Sequence, residues 1–70
     1  MIEVRAEMTA NVWKVLVAPG EEVEMGSELI ILESMKMEIP VVAEETGVIS
    51  ALEVVEGQSV AEGDVLAVIK

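Results

Sequence analysis

The chain has no cysteine, no histidine, no phenylalanine and no tyrosine, and Trp13 is its whole aromatic complement. Without Cys and His it can form no disulfide, no thiolate or imidazole nucleophile–base pair and no usual zinc ligand set. Ser27, Ser34, Ser50 and Ser59 have no histidine to activate them, which argues against catalysis by this chain alone. Positive charge is almost as scarce. Arg5, Lys14, Lys36 and Lys70 face 14 acidic side chains, for a formal net charge of −10. Phosphate neutralisation takes clustered Lys and Arg, so this balance excludes nucleic-acid binding and argues against an anionic membrane surface. A protein partner should be neutral or basic where it docks. The longest apolar runs, Val15-Leu16-Val17-Ala18 and Leu29-Ile30-Ile31-Leu32, are far too short to span a bilayer, and no charged-then-apolar signal opens the chain. The expected location is cytoplasmic. Glu21, Glu22 and Glu24 cluster, but they lack the Asp-rich spacing and central glycine of a calcium loop, so no metal site is expected.

What is present is aliphatic. Hydrophobic residues make up 53% of the chain, nearly all Val, Ile, Leu, Ala and Met, and the β-branched share favours strands. Gly20, Gly26, Gly47, Gly57 and Gly63 leave no uninterrupted window for an ordinary helix. Short strands joined by tight turns are the alternative, expected near 2–6, 11–17, 22–24, 28–33, 39–43, 48–54, 59–61 and 65–69. Period-two spacing suggests that Leu29 and Ile31, with Leu66 and Val68, point inward; their neighbours are apolar too, so the facing is not settled by pattern.

The order of these elements repeats. Sliding the chain by 37 positions lays residues 1–33 over 38–70 without a gap, and ten of the 33 pairs are identical, among them Ile2/Ile39, Gly20/Gly57, Val23/Val60, Gly26/Gly63 and Leu29/Leu66. One unit built twice implies two four-strand halves about a pseudo-twofold axis, sharing a core that neither half could bury alone. A small closed or sandwiched barrel fits such a pattern better than an open sheet. The expected organisation is one domain, 1–70, with halves 1–33 and 38–70 and a connecting hairpin at 34–37. No linker is visible at either end, so the chain reads as a module complete in itself or trimmed to its fold. The hairpin tip and the termini should lie at opposite, symmetry-related ends.

Lys36 sits in that connector, in Glu33-Ser34-Met35-Lys36-Met37-Glu38. A lysine in a turn is ordinarily just a solvated residue. Here its neighbours are unusual, because turns take Gly, Asn, Asp, Ser or Pro, and Met35 and Met37 place apolar, adaptable side chains on an exposed tip. The flanking Glu33 and Glu38 frame an isolated cation. Trp13 has no aromatic counterpart, since Ser50 takes its place in the second half; it either packs on the barrel or meets a partner. Met8 and Met25 read as packing or turn-side residues.

Glu33-Ser34-Met35-Lys36-Met37 resembles the attachment motif of the biotinyl/lipoyl attachment family, commonly Glu-Ala-Met-Lys-Met in biotin carboxyl carriers, and the similarity runs along essentially the whole chain. The glycine–valine–glycine phrases, Leu29 before the motif and Ala43-Glu44-Glu45-Thr46-Gly47 after it match as well. The resemblance implies an all-β flattened barrel, a barrel-sandwich hybrid, with the modified lysine on its central hairpin. It implies covalent biotin on Lys36, with Met35 and Met37 flanking recognition and Glu33, Ser34 and Glu38 as motif context. The implied partners are a biotin-protein ligase, a biotin carboxylase and a carboxyltransferase, with the carrier itself non-catalytic and monomeric as an isolated domain. Ser34 departs from the usual alanine, Ala10 stands where the first half should have glycine, and no inserted thumb is present. The alternatives are lipoate on Lys36, though lipoyl carriers generally show Asp-Lys-Ala-like surroundings, and an unmodified interaction or assembly domain.

Overall fold

The computed structural model describes residues Met1–Lys70. Its elements are β1 (Ile2–Arg5), β2 (Ala10–Val15), β3 (Glu22–Val23), β4 (Glu28–Ser34), β5 (Met37–Val42), β6 (Gly47–Leu52), β7 (Ser59–Val60) and β8 (Val65–Ile69). The protein is all-β, as expected. Two four-stranded sheets, in the orders β1-β8-β6-β3 and β5-β4-β2-β7, are antiparallel throughout and form the two sides of a flattened barrel.

Moving each strand four places along the chain converts one sheet order into the other, so the sequence repeat is a structural one. Each sheet nevertheless draws strands from both halves. The backbone shows the same interlock: Ala6 N–H donates to the Asp64 carbonyl and Ala43 N–H to the Ser27 carbonyl, both at 2.8 Å. Gly20 N–H donates to Ile49 at 2.7 Å and its equivalent, Gly57 N–H, to Val12 at 2.8 Å. The connecting turns are matched as well. In Ala18-Pro19-Gly20-Glu21, Gly20 has φ 91° and the Glu21 N–H returns to the Ala18 carbonyl, as a type II turn with Pro-Gly at its centre requires. The Glu21 carboxylate also accepts from Ala18 N–H at 3.2 Å, and Gln58 does the same for Val55 at 3.1 Å.

The core is a single cluster of 13 buried residues, with Val12, Leu29, Ile30, Leu32, Ile49, Leu66 and Ile69 at most 2% exposed. Full burial of each such side chain stabilises by about 1.5–3 kcal/mol. The strand phase corrects one expectation. Leu29 and Leu66 are buried, but Ile31 and Val68 lie on the outer face and are only half-buried, while Ile30, Leu32, Ala67 and Ile69 point inward. The cause is a register shift at Glu28/Ile30 and its equivalent at Val4/Arg5, each of which slips one residue into the ladder and turns two successive apolar side chains inward.

Gly47 opens β6, and a Cβ there would stand 2.5 Å from Ile69 Cγ2 and 2.7 Å from the Lys70 carbonyl oxygen. Its counterpart Ala10 carries a Cβ at 7% exposure, so the first half has the room that the second lacks. Gly47→Ala is expected to destabilise the fold by roughly 1–3 kcal/mol, the usual range for overpacking against backbone. Thermal unfolding followed by far-ultraviolet circular dichroism measures this, and an unchanged midpoint would contradict the clash.

Candidate functional site

The β4–β5 connection is the one tight hairpin between strands consecutive in the chain; every other connection crosses between the sheets. Ser34 pairs with Met37, so the turn is only Met35-Lys36, shorter than the 34–37 connector read from the repeat. Met35 has φ 52° and Lys36 φ 65°, and no other non-glycine residue has positive φ. Two left-handed residues in a two-residue loop are what a type I′ turn demands, and its favoured sequence is Asn-Gly. Holding Met and Lys there costs about 1–2 kcal/mol per residue. Strain of this kind persists where the surroundings over-determine it, and it concentrates at functional positions.

The strain has a geometric product. Met35 is 92% and Met37 62% exposed, and Lys36 stands exposed between them. Lys36 makes no salt bridge, the Arg5–Glu3 pair being the only one in the structure, and no hydrogen bond engages its amine. Glu33 and Glu38 face each other directly across the β4–β5 ladder, one step behind the turn, yet neither carboxylate lies within 4.0 Å of the Lys36 nitrogen. Like charges opposed in this way are mildly destabilising in isolation and favour a cationic neighbour. Ser34 is half-buried at the strand end, as a small residue at a tight turn can be.

The residues expected as a group, Glu33 to Glu38, therefore come together on one hairpin. Sequence reading did not pick out Asn11 and Ser59, which are paired strand neighbours beside the turn and joined by a Ser59 Oγ to Asn11 Oδ1 hydrogen bond of 2.8 Å. With Thr9, Glu33, Ser34 and Lys36 they line a shallow, mainly polar depression. The one available clue was the repeat itself, where Asn11 aligns with Val48 and Ser59 with Glu22. No group of His, Cys, Asp or Glu is placed to hold a metal ion.

A flattened barrel with an exposed lysine on its one tight hairpin has the architecture of an attachment domain, and similarities to known proteins bear on that class. Residues 3–69 match the family model described as "Biotin-requiring enzyme". The biotin/lipoyl attachment protein of Bacillus subtilis is 51% identical over 63 residues, 90% of this chain and 86% of that protein. The biotin carboxyl carrier protein of acetyl-CoA carboxylase from Solanum lycopersicum is 47% identical over 57 residues, 81% of each. Among solved structures, the urea carboxylase of Kluyveromyces lactis superposes with a TM-score of 0.92 at 36% identity, covering 99% of this chain and 6% of that one. The chain belongs to the biotinyl/lipoyl attachment family and is a biotin carboxyl carrier-like domain, homologous to the biotinyl domains of carboxylases.

If the left-handed pair is strained, relieving it should stabilise the fold. Met35→Asn is expected to add about 1 kcal/mol, raising the unfolding midpoint by roughly 4–8 °C for a domain of this size. Calorimetry checks it, and no gain would mean that the turn is not strained at Met35.

Proposed function

We propose that Lys36 is the residue that receives biotin, and that the loaded domain carries carboxyl groups between a biotin carboxylase and a carboxyltransferase. The observation that carries this reading is the geometry of the tip: a lysine in a left-handed turn, exposed, unpaired and bracketed by two exposed methionines. A biotin-protein ligase would supply biotinyl-adenylate. The Lys36 amine, after giving its proton to a base of the ligase, attacks the acyl carbonyl; an amide bond forms and AMP leaves. This chain offers no histidine for that proton. The carrier is substrate and scaffold, while the cofactor supplies the carboxyl-carrying chemistry.

Acylation removes one positive charge, taking the formal balance from −10 to −11. Tethering raises the effective concentration of the arm at each enzyme, so weak docking suffices. An acidic surface then steers the carrier toward basic active-site mouths. Lipoate on the same lysine is the second reading, favoured by the Bacillus subtilis relative, whose name covers both groups.

Incubation of the chain with biotin-protein ligase, biotin and ATP, or with lipoate ligase and lipoate, followed by intact-mass measurement, separates these readings. One biotinyl group is expected on the native chain and none on Lys36→Arg; a lipoyl group alone, or a biotinyl group that survives Lys36→Arg, would sink the proposal. Association of the loaded domain with its carboxylase should slow by about tenfold or more between low salt and ~0.15 M ionic strength, measured by stopped flow. Salt-independent association would argue against steering.

A further inference from the structure

The pseudo-twofold axis allows an internal comparison, because equivalent positions in the two sheets sit on matching strands. In β2 the register shift between Val12 and Lys14 sets Trp13 and Lys14 together opposite Ile31, on the outer face, and Ile31 pairs in turn with Pro40 of β5. In β6 the matching shift sets Ser50 and Ala51 opposite Val68, with Glu3 in the place of Pro40. Trp13 is 41% exposed, and Lys14 Nζ lies 5.4 Å from its ring centroid. Further along the same face, Leu16 is 44% and Val42 41% exposed, where the other sheet has Glu53 and Arg5.

Four equivalent pairs are more apolar on this sheet, Trp13 for Ser50, Pro40 for Glu3, Leu16 for Glu53 and Val42 for Arg5, while Lys14 for Ala51, Glu28 for Val65 and Asn11 for Val48 run the other way. Ser50 turns its hydroxyl back to the Val68 carbonyl at 3.3 Å, so the polar version is self-satisfied and the barrel does not need the apolar one. An apolar patch built round a tryptophan 41% exposed, in a chain of charge −10, points to a partner. The sheet that bears it is the one whose β4 and β5 end in Lys36.

We infer that the outer face of the β5-β4-β2-β7 sheet, centred on Trp13, is the docking surface for the ligase that acylates Lys36. This rests on Lys36 being the biotinylated residue. The choice of the ligase follows from reach. A carboxylase meets a biotin on an extended arm, whereas the ligase must bring its acyl carbonyl to within bonding distance of the bare amine. Its body must therefore press on the protein beside the tip. A specific interface takes about 800 Å² from each partner, out of a total surface of 4399 Å² here, so contact extends well past the two turn residues. Pro40, four residues from Lys36 along β5, is within about 13 Å of it at ~3.3 Å per residue. Between tip and platform lies the row of Asn11, Glu33 and Glu38, so the matching ligase surface is an apolar patch bordered by Lys or Arg.

The test measures initial rates of biotin incorporation against carrier concentration, by intact mass, with the full chain and purified biotin-protein ligase. Trp13→Ser and Leu16→Glu install side chains that the fold already accepts at Ser50 and Glu53. Each is expected to raise the KM for the carrier about tenfold, the order of one lost interface anchor, with kcat within about twofold. Trp13→Phe should keep KM within about threefold, and Glu53→Gln on the opposite face should leave it unchanged. The inference is overturned if the Trp13→Ser, Leu16→Glu double variant has a native amide spectrum and a KM within twofold of the native chain. Should that variant not fold, Val42→Arg decides, because Arg5 occupies the equivalent site; an unmoved KM overturns the inference. No biotin on the native chain would overturn the Lys36 reading and the docking face with it, a result distinct from an unmoved KM on a chain that is modified.

Discussion

The structure depends on an exchange of strands between two copies of one pattern. β1 and β3 of the first half hydrogen-bond only to strands of the second, and β5 and β7 only to strands of the first. A half taken alone would keep β2 beside β4 but lose the partners of its two other strands, and with them the opposite wall of the core. Leu29, Ile30 and Leu32 share one buried cluster with Leu66 and Ile69 from the second half. The barrel is therefore cooperative in a strong sense, and a chain this short with no disulfide can hold a single rigid shape.

Rigidity of that kind is what the hairpin draws on. A left-handed Met-Lys turn would not persist in an isolated peptide, where Asn-Gly is the favoured occupant. Here β4 is clamped between β5 and β2, and the ladder from Glu28 to Ser34 fixes where the turn must fall. The burial of Leu32 and Ile39 behind it offsets the local cost, and the chain spends no charge pair on restraining Lys36. An amine held by backbone alone stays open to solvent.

Much of this was legible in the residues. Gly20/Gly57 and Gly26/Gly63 carry the turns, and their identity across the repeat reflects a φ near 90° at all four. Lys36 stood out because the repeat has no counterpart for it. The inward phase of β4 and β8 was not legible, since the register shifts that bury both Leu29 and Ile30 are properties of pairing and leave no mark in a wholly apolar run. Nor could sequence place Asn11 against Ser59, 48 residues away, or decide whether Trp13 faced the core, because β2 alternation is broken at that residue by a second shift.

The two ends of the barrel close by different means. At one end the Met35-Lys36 peptide joins β4 to β5; at the other, β8 meets β1 through the Ile2–Ile69 pairing, with no covalent link. The first contact closes a loop of two residues and the second a loop spanning nearly the whole chain, so the entropy of bringing ends together weighs on the second alone. Loop-closure entropy thus favours pairing of β4 with β5 over pairing of β1 with β8. Lys36 therefore sits on the contact of lowest sequence separation in the barrel, the one least costly in entropy to close again after it opens.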